Sequence, residues 1–250
     1  YVYEFDAVSG EFKLKSSSEK VLSPSYLSVS ADNKFIYAVN ENGTQSTVSA
    51  FSYDSKSGKI KLINKNDALG ADPCHLINDS KNIITANYSG GNIAVFKKNA
   101  DGSITEGQQL IQHEGKGPNE ARQEKAHVHM VAFSPDKKFV LANDLGLDKV
   151  FIYKYNPGAA HEILTLKGSV DVKKGSGPRH LTFSKDGKFV YLIQELDATL
   201  TTFSFDTAGN LKLLSEKSIL AKGFTGGTGA AAIKISPDGK FLYVTDRVDA

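Results

Sequence analysis

The chain has 250 residues, 40% hydrophobic and 23% charged, the composition of a globular protein that can bury a core. Its 30 Lys and Arg nearly balance its 28 Asp and Glu, so no charge field recommends nucleic acid or a cationic partner. A single cysteine excludes an internal disulfide, and no apolar run nears the roughly 20 residues that a membrane-spanning helix needs.

Tyr1 to Asp6 alternates as a strand, Val8-Ser9-Gly10 is a turn, and Glu11 to Leu14 is a second strand. Pro24 to Asn40 then reads as a hairpin about Ala31-Asp32-Asn33, where the aspartate can bond its own backbone. Two further strands follow, Thr47 to Asp54 and Lys59 to Leu62, about Ser57-Gly58. The same order recurs. Pro73 to Asn87 is a hairpin shorter by two turn residues, followed by Ile93 to Lys98, Asp101-Gly102 and Ser103-Ile104. Gln108 to Lys125 breaks the rhythm: it is polar, without a clear period, and reads as a long loop of the kind that forms lids or binding loops. Ala126 to Asp144 is the next hairpin, about Ser134-Pro135-Asp136-Lys137, with His127, His129, Val131 and Phe133 expected on one face. Val150 to Tyr155, an irregular turn at Pro157-Gly158 and Ile163 to Leu166 complete that copy. Another runs from Pro178 to Glu195 (turn Lys185-Asp186-Gly187) through Leu200 to Asp206 and Asn210 to Leu214. The Gly-rich Gly223 to Gly229 precedes a hairpin rather than a helix, which argues against a phosphate cradle. Ala231 to Arg247, about Pro237-Asp238-Gly239, is the last hairpin.

Aligned on Phe35, Asn82, Phe139, Phe189 and Phe241, the copies repeat at about 50 residues, and each complete copy is four short antiparallel strands. Such units without helical periodicity predict an all-β fold, a β-propeller, with residues 1–250 forming a single domain. The chain opens on the last two strands of a blade and stops after the first two of another. Either the ends share one blade of a five-bladed ring, or the sequence is an internal part of a larger ring; the second reading is favoured.

In a propeller the first strand of each blade lies innermost, so one repeat position forms a ring about the channel. The position four before Phe133 holds Ser25, Cys74, His129, Arg179 and Ala231; the position six after the aligned residue holds Glu41, Tyr88, Leu145, Glu195 and Arg247. Antiparallel pairing puts both rings at one mouth. That collects His129, Arg179, Glu195 and Arg247 as candidate catalytic residues, with Tyr88, His127 and His180 as further substrate contacts. Arginines suit carboxylate or phosphate oxygens, and Glu195 and His129 can exchange protons. The competing reading is a ring of rim ion pairs. A metal on His127 and His129, completed by His180 and Glu195, is the weaker alternative, and a buried Cys74 reads as packing. No cofactor motif is present.

The motifs Ala86-Asn-Tyr-Ser-Gly-Gly91, Pro118-Asn-Glu-Ala-Arg-Gln123, Ala126-His-Val-His129, Asn143-Asp-Leu-Gly146, Gly177-Pro-Arg-His-Leu181 and Ile235-Ser-Pro-Asp-Gly-Lys-Phe-Leu-Tyr-Val244 together resemble the seven-bladed propeller lactonase family. That family includes bacterial 6-phosphogluconolactonases and fungal carboxy-muconate lactonising enzymes. The resemblance implies seven blades in the full-length protein, about five blades' worth being present here. It also implies catalytic and binding roles for His129, Arg179, Glu195 and Arg247, which match a histidine, an arginine after proline, a glutamate ending the next strand and an arginine ending the equivalent strand. It implies hydrolysis of an anionic sugar lactone, most simply 6-phosphogluconolactone, without metal or cofactor, by a cytoplasmic monomer or weak homodimer. Muconate-type lactonisation, and a non-catalytic propeller that binds a small anion or a protein partner, are the alternatives.

Overall fold

The computed structural model describes residues 1–247. Within each sheet consecutive strands pair antiparallel, giving four four-stranded sheets and, at either end, a two-stranded one. The first pair is β1 (Val2–Phe5) and β2 (Phe12–Ser16). The first full blade comprises β3 (Pro24–Val29), β4 (Phe35–Asn40), β5 (Thr47–Tyr53) and β6 (Ile60–Asp67). The second comprises β7 (Pro73–Asn78), β8 (Asn82–Asn87), β9 (Asn92–Lys98) and β10 (Ile104–Gln112). The third is β11 (Val128–Phe133), β12 (Phe139–Asp144), β13 (Lys149–Tyr155) and β14 (Leu164–Asp171). The fourth is β15 (Pro178–Phe183), β16 (Phe189–Gln194), β17 (Thr199–Phe205) and β18 (Leu211–Ser218). The last pair is β19 (Ala230–Ile235) and β20 (Leu242–Asp246). The two end pairs are separate sheets, not one shared blade.

The first turn of the first, third and fourth blades, and that of the last strand pair, is set by a local side-chain pattern. Ser30, Ser134, Ser184 and Ser236 each donate to an aspartate two residues on. Each also accepts the backbone N–H of the aligned Phe35, Phe139, Phe189 or Phe241. Ser and Asp offer the backbone this alternative to further strand, which is why the chain reverses there. The residue after the aspartate is left-handed, with φ 56 at Asn33, 54 at Lys137, 70 at Gly187 and 76 at Gly239.

The outermost strands run further than the sequence predicted: β6 to Asp67, β10 to Gln112, β14 to Asp171 and β18 to Ser218. Beyond the buried Ile104 and Leu164 that open β10 and β14, their residues are only half-buried or exposed. An edge strand of this kind carries polar side chains on both faces, so the apolar contrast that marks a strand in sequence is missing. The first five residues of the expected 108–125 loop are therefore strand, and the loop starts at His113.

The apolar core lies between blades, not within them. Val39, Val48 and Ala50 of the first blade pack with Leu76, Ile83 and Phe96 of the second. Ile84 and Val95 meet Val131 and Val140, Leu141 and Ile152 meet Leu181 and Leu192, and Ile193 meets Ile233. The second, third and fourth sheets thus bury both faces, and the innermost strands come together around a channel.

Candidate active site

Every complete innermost strand slips its register by one residue just after it begins: between Pro24 and Tyr26, Pro73 and His75, Val128 and Met130, and Pro178 and His180. A β-bulge re-aims the extra residue. The bulged residues are Ser25, Cys74, His129 and Arg179, which are the ring position the repeat alignment selected. Strict alternation is broken at that point, so His127 and His129 do not share a face as expected. The tight entry to β15 is built by glycine: Gly177 has φ 68, and a Cβ there would stand 2.8 Å from Leu196 Cγ.

The second ring ends the neighbouring strands, and the two rings meet. Ser25, Glu41, Cys74, Tyr88, His129, Arg179, Glu195 and Arg247 all line one cavity of about 580 Å³. Tyr26, Asp72, Ser89, Arg122 and His180 complete its wall. Leu145 and Ala231, at the remaining ring positions, are buried behind it.

Glu195, 4% exposed, is the hub. Its Oε1 accepts from Arg122 Nη2 at 2.6 Å and lies 3.1 Å from Arg247 Nη2. Its Oε2 accepts from Arg179 Nε at 2.9 Å, with His129 Nε2 3.8 Å away. Arg179 also donates through Nη1 to Ala231 O at 2.7 Å, and Asn143 Nδ2 donates to Arg179 O at 3.0 Å, so its backbone and head are both fixed. Burial works against the Arg179 charge, but a guanidinium beside a carboxylate stays protonated. A buried charge needs such a partner, since removal from water otherwise costs several kcal/mol.

The imidazoles around the hub are neutral. Burial, with the Arg179 guanidinium adding to it, holds His129 well below its usual range. Burial, with His129 and Arg179, pushes His180 down to about 2, and burial, with His180 adding to it, holds His75 well below its usual range. The His129 and His180 rings stand 5.1 Å apart, and those of His180 and His75 5.5 Å apart. Burial pushes the Cys74 thiol up, away from the thiolate a nucleophile needs.

Of the residues the sequence singled out, His127 is the one placed elsewhere. Its ring stacks on Tyr88 at 4.5 Å, and its nitrogens face Tyr88 O and Glu124. It supports Tyr88 from behind and does not line the cavity. Tyr88, edge-on to His129, accepts from Arg122 at 3.3 Å. Among the described residues no three His, Cys, Asp or Glu side chains converge as a metal site.

Arg122 is the partner of Glu195 that sequence reasoning missed, as it did Tyr26, Asp72 and Ser89 in the cavity wall. It comes from the long loop, outside the repeat, so no alignment of blades could place it. Its signals were the loop's position before β11 and the Pro118-Asn-Glu-Ala-Arg-Gln123 motif.

The description "Lactonase, 7-bladed beta-propeller" matches residues 1–250. The chain is 33% identical over 250 residues to the 6-phosphogluconolactonase of Bacillus subtilis, covering 99% of this chain and 70% of that protein. A crystal structure of a candidate 6-phosphogluconolactonase from Bacteroides fragilis superposes with a TM-score of 0.94 at 41% identity, covering 99% of this chain and 70% of that one. The periplasmic gluconolactonase of Pseudomonas aeruginosa superposes with a TM-score of 0.92 at 34% identity, covering 98% and 71%.

Proposed function

The chain belongs to the seven-bladed β-propeller lactonase family, and we propose that its site hydrolyses a sugar lactone, 6-phosphogluconolactone to 6-phosphogluconate. The observation that carries this reading is the Glu195 hub: one buried carboxylate shared by three guanidinium groups beside a neutral imidazole. His129 Nε2 and Glu195 Oε2 are two acceptors 3.8 Å apart. A water that donates to both keeps a lone pair for attack on the ester carbonyl. Its proton passes to the neutral imidazole, and the nearby carboxylate stabilises the imidazolium that results. Arg179, held rigid from both sides, is placed to stabilise the tetrahedral oxyanion. The proton then leaves with the ring oxygen, giving a hydroxy acid. Arg247, half exposed, faces the substrate's anionic group, and the hydroxyls and carboxylates of Ser25, Glu41 and Asp72 on the same wall suit sugar hydroxyls. Three fixed cationic groups supply the charge stabilisation that a Lewis acid otherwise would, so this route needs no metal. The proposal takes residues 1–250 as one propeller domain, acting alone or as a weak homodimer, and a phosphorylated sugar substrate carries a cytoplasmic location with it.

The test compares hydrolysis of freshly prepared 6-phosphogluconolactone and of gluconolactone with their spontaneous rates, with EDTA alongside. Glu195→Gln is expected to lower kcat by about a hundredfold or more while the protein still binds inorganic phosphate. Unchanged hydrolysis in that variant removes Glu195 from the mechanism. Acceleration of gluconolactone alone moves the substrate to that of the periplasmic relative. No acceleration of either lactone favours a lactonising or a purely binding propeller.

A further inference from the structure

The long loop is nailed to the third blade at both ends. At its start, His113 Nδ1 lies 2.7 Å from Asp144 Oδ2 and Nε2 lies 2.7 Å from Tyr153 OH, all buried. At its end, His127 N donates to Asp144 Oδ1 at 2.8 Å. One aspartate thus ties both ends. Between them Gln123, fully buried, donates to Leu145 O at 2.8 Å and to Asp148 Oδ1 at 2.7 Å. Asp148 in turn accepts the N–H groups of Gly175 and Gly177, next to Arg179. Gln123 N donates to Asn119 O at 2.7 Å, closing the turn that carries Arg122.

Arg122 is therefore a long side chain on a rigid base, one residue from a fully buried anchor. Its side chain is 42% exposed, whereas that of Arg179 is 14% exposed. It reaches Glu195 Oε1, the same oxygen that Arg247 approaches. Three guanidinium groups share the one carboxylate of Glu195, a local excess of two positive charges to which the neighbouring imidazoles add none, while Glu41 and Asp72 line the same cavity. A monoanion leaves part of that charge unmatched; a phosphomonoester, close to a dianion at neutral pH, offsets it.

We infer that Arg122 is a specificity-determining residue that, paired with Arg247, selects a phosphorylated lactone over a neutral one. Two half-exposed forks on one carboxylate oxygen each keep donors free for a second acceptor, and a phosphate presents three oxygens to them. Preorganisation of the loop lowers the ordering cost of that contact. The inference rests on the lactonase reading for its substrate but not for its anion.

The experiment measures kcat/KM for 6-phosphogluconolactone and gluconolactone, and calorimetric binding of inorganic phosphate, in the full-length protein and in Arg122→Gln and Arg122→Lys, with thermal melts to show that the variants fold. Arg122→Gln is expected to lower the ratio of kcat/KM for the phosphorylated over the unphosphorylated lactone by at least about tenfold, through KM, and to weaken phosphate binding by a similar factor. Arg122→Lys, which keeps the charge but not the fork, is expected to recover part of both. An unchanged substrate ratio overturns the inference, whatever phosphate does. If the wild-type protein hydrolyses neither lactone, the lactonase reading fails by itself and phosphate binding decides: loss in Arg122→Gln upholds the anion site, and equal or absent binding in both proteins removes it.

Discussion

Glu195 is fixed by three arginines, yet the residues most sensitive to solution conditions are its neutral neighbours. His75, His129 and His180 are held below the usual histidine range, chiefly by burial. In the unfolded chain each takes up a proton near pH 6.5; in the folded protein His180 does so only at about 2. Between those values the unfolded state binds more protons, so stability is full above about 6.5 and falls as the pH drops. The slope is roughly 1.4 kcal/mol per pH unit for each such histidine. Urea midpoints are expected to hold level from pH 7.5 to about 6.5 and to decline from there down to pH 5. A flat profile would mean that these imidazoles charge freely in the native state.

At the scale of elements, the repeating Ser-x-Asp turn imposes one left-handed residue, and the chain meets that demand unevenly. Gly187 and Gly239 take it without strain and Asn33 tolerates it, but Lys137 stands at φ 54. A non-glycine residue there costs on the order of 1 kcal/mol, partly offset by the extra freedom glycine brings to the unfolded chain. Lys137→Gly is expected to raise stability by about 0.5 kcal/mol, read as an upward shift of the denaturation midpoint with an unchanged slope. A lower midpoint would show that the Lys137 contact with the Phe133 ring, at 5.6 Å, outweighs the backbone strain. The short second-blade turn uses a different device: Asp79 accepts Lys81 N and Asn82 N directly.

Across the molecule, adjacent blades are held together by one another's turns as well as by apolar faces. Gly102, in the outer turn of the second blade, lies against the Phe35 ring of the first, and Gly209 of the fourth against Phe139 of the third. The aligned phenylalanine of one blade therefore packs under the outer turn of the next. Where the third blade has its irregular turn instead, Asn82 replaces the phenylalanine and donates to Tyr155 OH at 2.8 Å and Pro157 O at 3.2 Å. Because the cores lie between blades, one truncation should loosen two sheets at once. Leu141→Ala, fully buried between the third and fourth blades, is expected to cost about 3 kcal/mol, and hydrogen exchange should quicken in both blades. Loss of protection confined to the third blade would contradict an interface core.

The sequence alone determined the repeat, the four-strand blade, the hairpin turns and the meeting of two residue rings at one mouth, because each follows from short-range pattern multiplied by a period. His129, Arg179, Glu195 and Arg247 were legible for that reason: they occupy equivalent positions in successive copies. Tertiary structure decided what pattern cannot encode. The extent of β6, β10, β14 and β18 depends on pairing with a neighbour, since edge strands with polar faces carry little signal of their own. The bulge that turns His129 into the cavity and leaves His127 behind Tyr88 is a register slip between two strands, invisible in either one. Arg122 enters from an insertion outside the repeat, and only the buried bonds of His113, Gln123 and Asp144 to distant residues place it on Glu195.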